Sequence, residues 1–185
     1  MDEILRFSKF NELKKIYRTS SVENRKESSA EHTWSSLLLA DYFLLKIDLK
    51  IDKLKVYELI MYHDVVEIES GDFPLGPGVC RKNKTKIELE AAKVLMEKLP
   101  NGQKDKFFQL FLEFEENKTL EARFANAIDK LDVMIHELDY KIDWKGWSKK
   151  FVIDKKEKFF DDFPIMKRDF HKLLDYLEKE GYFSQ

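Results

Sequence analysis

Apolar residues recur three and four positions apart along almost the whole of this chain, and nowhere do β-branched residues alternate with polar ones over a useful length. Side chains at that spacing share one face of a helix, whereas a half-buried strand needs a period of two. Leu5, Leu13 and Ile16 mark a first helix, Trp34, Leu37, Leu38, Asp41 and Leu45 a second, and Leu54, Leu59, Ile60, His63 and Glu67 a third. Ile87, Ala91, Val94, Leu95 and Lys98 fit a fourth, and Phe107, Leu110, Phe111 and Phe114 a fifth. A long sixth runs from Phe124 to Leu138, and Phe170, Leu173, Leu174 and Leu177 lie in a C-terminal helix. The pattern predicts an all-α bundle of about six to seven helices and no strand.

Punctuation agrees with that division. Ser28-Ser29 ahead of Glu31 read as a helix cap, and Gly71 closes the segment that holds His63 and Asp64. The stretch GDFPLGPGVCRKN is a loop, read as an ordinary surface loop, with shaping of a pocket as the alternative. Pro100-Asn101-Gly102, Trp144-Lys145-Gly146-Trp147 and Asp162-Phe163-Pro164 interrupt the later helices. A length of 185 residues suits one domain, and no repeat or flexible linker divides it. The expectation is a single domain over residues 1–185, with C-terminal helices in 149–183 packing on the part between about 13 and 138.

Composition narrows the partners. A formal net charge of −2 gives no bulk reason to expect nucleic-acid binding, so an anionic small molecule would be met by local basic residues. Cys80 is the only cysteine, which excludes an intrachain disulfide and a zinc site built on cysteines. No apolar run approaches the roughly 20 residues that span a bilayer, and the N-terminus lacks a signal core. The expectation is a soluble, cytoplasmic protein.

Against that background, His32, the adjacent pair His63-Asp64, and Asp129 stand inside otherwise apolar helical segments. Each alone has a bland reading. A single helical histidine is more often a core or surface residue than a ligand, and Asp129 has Lys130 beside it as an ion-pair partner. Their conjunction is more telling, because polar groups buried without partners are costly. Two imidazoles and two carboxylates suit one divalent ion such as Mn, Co, Fe, Zn or Mg, with positions left for water and substrate oxygens. Glu67 shares the face of the pair, and Asp72 follows Gly71.

These residues sit in stretches that resemble a known family. Glu27-Ser28-Ser29-Ala30-Glu31-His32-Thr33-Trp34 resembles the first motif of the HD-domain metal-dependent phosphohydrolases. Met61 to Asp72 resembles their signature in its H-D-x-x-E-x-x-x-G-D form, and Asn126-Ala127-Ile128-Asp129-Lys130-Leu131 their terminal aspartate motif. Within that family the chain is most similar to the small 5′-deoxynucleotidases. The resemblance implies His32, His63, Asp64 and Asp129 as ligands of one divalent metal. It implies Glu67 as the residue that orients or deprotonates the attacking water, and Asp72 as the group that assists proton delivery to the leaving 5′-oxygen. Arg18 matches a family arginine that holds the substrate phosphate, a task suited to a bidentate guanidinium.

The activity implied is a 5′-nucleotidase releasing phosphate from (deoxy)nucleoside 5′-monophosphates by attack of a metal-activated water. Alternatives within the family are another phosphate ester, a nucleoside triphosphate, a cyclic phosphodiester, or nucleotide sensing without turnover. A homodimer is implied as well. One departure concerns sugar selection: a tryptophan close behind the family arginine packs against the sugar, whereas Arg18 is followed by Thr19, Ser20, Ser21 and Val22. No histidine falls between positions 64 and 129, which favours one metal over two. His136 lies two turns beyond Asp129, and His171 reads as a surface residue. Lys82, Lys84 and Lys86 make the loop locally basic, which reads either as attraction for phosphate or as a solvated helix entry. Phe107, Phe108, Phe111 and Phe114 read as core or interface, and Glu113, Glu115 and Glu116 as a solvated face.

Overall fold

The computed structural model describes residues 2–183. Short α1 (Glu3–Arg6) leads into a 3₁₀ run, Phe7–Lys15, and then into β1 (Tyr17–Val22) and β2 (Arg25–Ser28). The remaining helices are α2 (Ser29–Leu44), α3 (Lys53–Tyr62), α4 (Glu67–Ser70), α5 (Lys84–Met96), α6 (Asn101–Glu116), α7 (Leu120–His136), α8 (Lys149–Lys156) and α9 (Pro164–Lys179). The long helices fall where apolar periodicity placed them. Helix α7 is central: α2, α3 and α6 all pack on it, and Phe124, Ile128, Leu131 and Met134 project from it into the core. Phe107, Phe111 and Phe114 of α6 are buried in the same core. Phe163, just before α9, meets Phe124 edge-on at 5.3 Å and ties the C-terminal helices to α7.

Three local expectations are corrected. The segment expected as a first helix from Leu5 to Ile16 is a single α turn followed by 3₁₀ winding. The expectation of no strand fails at the antiparallel hairpin β1–β2, paired Tyr17 to Ser28 and Val22 to Arg25, with Glu23 at φ 50° in its turn. YRTSSV and RKES have no apolar face to alternate, so the pattern that reveals strands is missing. Polar contacts hold the hairpin instead. The Ser21 amide and hydroxyl donate to Asp143 at 2.7 and 2.9 Å, Ser20 donates to Glu137 at 2.9 Å, and the Glu23 amide donates to the Tyr140 hydroxyl at 3.1 Å.

The third correction bears on chemistry. Helix α3 ends at Tyr62, and His63 to Val66 form a tight turn before α4, not a continuous helix. The bonds Val65 N–H to Tyr62 C=O (3.2 Å), Glu67 N–H to Asp64 C=O (2.9 Å) and Ile68 N–H to Val65 C=O (3.2 Å) are three-residue links. Such winding eclipses side chains three apart and brings Asp64 and Glu67 onto one edge. Gly71 then ends α4 at φ 72°, a conformation glycine takes without steric penalty.

At the start of α2, Ser28 and Glu31 form a reciprocal capping box. The Ser28 side chain accepts from the Glu31 amide, and the Glu31 carboxylate accepts from the Ser28 amide at 2.9 Å. This junction fixes the first turn of the helix that carries His32. Replacing Ser28 with Ala should cost about 1 kcal/mol of unfolding free energy near neutral pH, measured by urea denaturation. The hydrogen bond from Arg25, with help from Ser28, holds the Glu31 carboxyl down to about 2 from an ordinary 4.5. A depressed folded value stabilises above the unfolded one, so Glu31's contribution is fully present above pH 4.5 and is lost as pH falls towards about 2. Its pH dependence should vanish in Glu31→Gln.

Candidate metal centre and active site

Three separate segments deliver the polar groups. His32 sits one turn into α2 and is completely buried. Its Nδ1 lies 2.8 Å from Asp132 Oδ2, which also accepts from the Ser35 hydroxyl at 2.7 Å, so Nε2 is turned towards Asp129 Oδ1 at 3.1 Å. His63 donates Nδ1–H to the Ile60 carbonyl at 2.7 Å. That leaves its Nε2 lone pair facing the same point, buried and without a hydrogen-bond partner. Ligand atoms of His32, His63 and Asp129 all lie within 4.8 Å of one another.

This geometry passes a test for a metal site. Both imidazoles have their outer nitrogens fixed by a carboxylate or a carbonyl, as metal-ligating histidines do. An orphaned buried nitrogen needs a partner, and a divalent ion among these donors supplies one. Burial holds the His63 imidazolium below its usual 6.5, which keeps the lone pair available. Burial would do the same to His32, but hydrogen bonds to Asp129 and Asp132 push it up to about 10. Burial would raise Asp129, yet Lys130 and His32 hold its carboxylate well below the usual range. The Lys130 ammonium is ion-paired to Asp129 Oδ2, as the bland reading of that residue anticipated. Asp129 thus faces both Lys130 and the two imidazoles.

Asp64 stands beside the three. Its Oδ1 is 3.2 Å from His63 Nε2, and its Oδ2 is 4.0 Å from His32 Nε2 and 3.1 Å from a terminal nitrogen of Arg18. Arg18 comes from β1, reaching this acid from the hairpin that periodicity did not reveal. Its Nε is 3.4 Å from Glu27 Oε2, and neither atom has a hydrogen-bond partner. Burial works against the guanidinium charge, but Asp64, Asp129, Glu67 and Asp72 together hold it more firmly protonated than usual.

Glu67 and Asp72 complete the group. Glu67 accepts from the Ser29 hydroxyl at 2.6 Å and stands beside Asp72. Burial, with Asp64 and Asp72 nearby, pushes the Glu67 carboxyl well above 4.5, and burial also raises Asp72 above 3.8. Two adjacent acids with raised affinities can hold and pass a proton.

Arg18, His63, Asp64, Glu67, Asp72 and Asp129 open into one cavity of about 780 Å³, with His32 buried behind its wall. The loop 73–83 is not an ordinary surface loop: Phe73, Pro74, Leu75, Val79 and Arg81 form part of the cavity wall. His136 is outside the metal cluster and bonds the Ser21 carbonyl at 2.8 Å. His171 pairs with Glu157 at 2.9 Å at the surface. Sequence reasoning missed Asp132, Ser29 and Lys156. The first two carried a faint signal, being three residues from Asp129 and His32 on the same helix faces.

A sequence model of the HD domain matches residues 10–165, most of the chain. The chain belongs to the HD-domain family. Proteins named 5′-deoxynucleotidase HDDC2 are similar to it: that of Xenopus laevis is 27% identical over 142 residues (75% of this chain and 69% of that protein). The human protein is 26% identical over 133 residues, or 70% of this chain and 64% of its own length. Among solved structures, a predicted metal-dependent phosphohydrolase from Magnetospirillum magnetotacticum is 26% identical with a TM-score of 0.87, over 98% of this chain and 94% of that one. An HD-domain phosphohydrolase from Listeria innocua shares the fold at TM-score 0.65 and 20% identity, over 97% of this chain and 87% of that one. This HD-domain protein is a metal-dependent phosphohydrolase with a His/His/Asp cluster suited to the ion. No described helix is long and apolar enough to cross a membrane.

Asp132 touches no proposed substrate position, yet it orients His32. Asp132→Asn should weaken Mn or Zn binding by roughly 10- to 100-fold while leaving the fold intact, measured by calorimetric titration and circular dichroism.

Proposed function

We propose that this phosphohydrolase is a 5′-nucleotidase that releases phosphate from (deoxy)nucleoside 5′-monophosphates, with residues 1–185 acting as one HD domain. The observation that carries this reading is a permanent cation, a metal-ligand cluster and a proton-holding acid pair bordering one cavity. The names of the similar proteins support the substrate class. In this reading His32, His63, Asp64 and Asp129 hold one divalent ion. The ion supplies Lewis acidity, making a water acidic near neutral pH and polarising a phosphoryl oxygen.

The chain's own groups do the rest. Arg18 presents a guanidinium fork to the phosphate oxygens, and its existing contact with Asp64 keeps it aimed at the phosphoryl position. Glu67 accepts a proton from the water as its oxygen bonds to phosphorus. The bond from phosphorus to the 5′-oxygen breaks, and Asp72 delivers a proton to that oxygen. Ser29 holds Glu67 in place through a buried hydrogen bond. The products are a nucleoside and orthophosphate.

The remaining volume of the cavity accommodates the nucleoside, with Trp147 and Phe159 in its wall. Both come from the C-terminal third, so aromatic surface is available to the substrate although none follows Arg18. An exposed apolar stripe along α2 and its C-cap, formed by Trp34, Leu38, Tyr42 and Leu45, supports the homodimer.

Phosphate release from a panel of deoxy- and ribonucleoside 5′-monophosphates, after metal stripping and reloading with Mn, Co, Mg or Zn, tests the reading. Turnover should require metal and fall by roughly 10²- to 10⁴-fold in Glu67→Gln. Arg18→Ala should raise KM as well as lower kcat, because Arg18 binds the phosphate in the ground state and more tightly as charge builds on its oxygens in the transition state. Metal binding without turnover of any monophosphate would sink the nucleotidase and leave another phosphate substrate or a sensor.

A further inference from the structure

Lys156 ends α8, outside every segment that carries the metal-site residues, and is only 4% exposed. A lysine is almost never buried to that extent unless its charge is met. Its Nζ donates to the Lys130 carbonyl at 3.1 Å, and among the described residues no carboxylate lies within 4.0 Å of it. An ammonium has three donors, and this one uses a single neutral acceptor. Glu137 is its principal acidic neighbour, but that carboxylate is itself buried and accepts from Ser20. The Trp147 ring is 6.0 Å away, at the edge of cation–π distance.

The side chain nonetheless borders the catalytic cavity, together with Arg18, Lys130 and Trp147. Lys130 is already committed to Asp129, and Arg18 to Asp64. Lys156 is therefore the buried cation of the cavity with donors left over and no carboxylate paired to it. A dianionic phosphoryl group entering the cavity supplies the missing counter-charge.

We propose that Lys156 is a phosphate-binding residue, its ammonium holding an oxygen of the substrate phosphoryl group and of the orthophosphate product together with Arg18. This rests on the site reading above, in which the phosphoryl group lies between Arg18 and the His/His/Asp cluster, but not on which alcohol the phosphate is attached to. The C-terminal helices then supply part of the active site as well as covering the core. A lysine serving only to neutralise Glu137 would predict no tie to phosphate.

The test is titration of Mn-loaded wild type, Lys156→Met and Lys156→Arg with inorganic phosphate, followed by calorimetry and by the shift in melting temperature. Losing one charge-assisted contact should weaken phosphate binding by about tenfold or more in Lys156→Met, with most of it restored in Lys156→Arg. Without phosphate, Lys156→Met should melt no lower than wild type, since a buried charge has been removed. Unchanged phosphate affinity in Lys156→Met overturns the proposal, as does a wild-type protein that phosphate neither binds nor stabilises. A Lys156→Met protein that is unfolded or markedly less stable, with Lys156→Gln behaving alike, also overturns it by making the lysine structural. Failure of the nucleotidase reading is recognisable separately, because phosphate release would be absent while phosphate binding still depended on Lys156.

Discussion

Asp64, Glu67, Asp72 and Asp129 crowd around one partly buried cavity, and at that density like charges repel strongly wherever water is scarce. Protons and cations must share the site with them. The Arg18 guanidinium and the Lys130 ammonium meet Asp64 and Asp129, burial raises the proton affinity of Glu67 and Asp72, and hydrogen bonds to Asp129 and Asp132 raise that of His32. Each of these arrangements follows from the same imbalance. A divalent ion relieves it most directly, which is why the acids tolerate burial in a chain that binds one. Removing a single acid would leave its cation unpaired, so the groups depend on one another more than a residue-by-residue description conveys.

Backbone geometry turns that electrostatic arrangement into a catalytic one. A continuous α-helix would leave Asp64 and Glu67 about 60° apart on a shared face. The three-residue links between Tyr62 and Ile68 draw Asp64 and Glu67 to one edge, so the acid beside the metal cluster and the acid whose proton affinity burial raises share a wall. Gly71 then reverses the chain and brings Asp72 back to Glu67. The Ser28–Glu31 box does similar work for His32, because it fixes the first turn of α2 just ahead of that imidazole. The outer nitrogens of both histidines are already occupied, by Asp132 and by the Ile60 carbonyl, so no ring rotation is needed before a metal binds.

Some of this was legible in the residues. The long helices announced themselves through apolar spacing, and their ends through Ser28, Gly71 and Pro164. Motif resemblance brought forward Arg18, His32, His63, Asp64, Glu67, Asp72 and Asp129, and the structure gathers all seven around one site. The hairpin was not legible, since its strands have no apolar face and are held by Asp143, Glu137 and Tyr140 from more than a hundred residues away. For loop 73–83 the residues favoured the surface reading over the pocket-shaping one for a related reason. Gly and Pro signal a loop, but nothing local says whether it lies over a cavity.

What the sequence determined alone was what short-range chemistry can encode: helical periodicity, cap residues, and the presence of metal-binding and proton-carrying side chains in recognisable spacing. Those properties are written within a few residues of each position. Only the tertiary structure decided which imidazole nitrogen faces the metal cluster, that Arg18 reaches Asp64 from a polar hairpin, and that Lys156 is buried in the cavity wall without a carboxylate partner among the described residues. A side chain's solvation and partners depend on segments distant in the chain, and these set its charge state and whether it is open to a ligand.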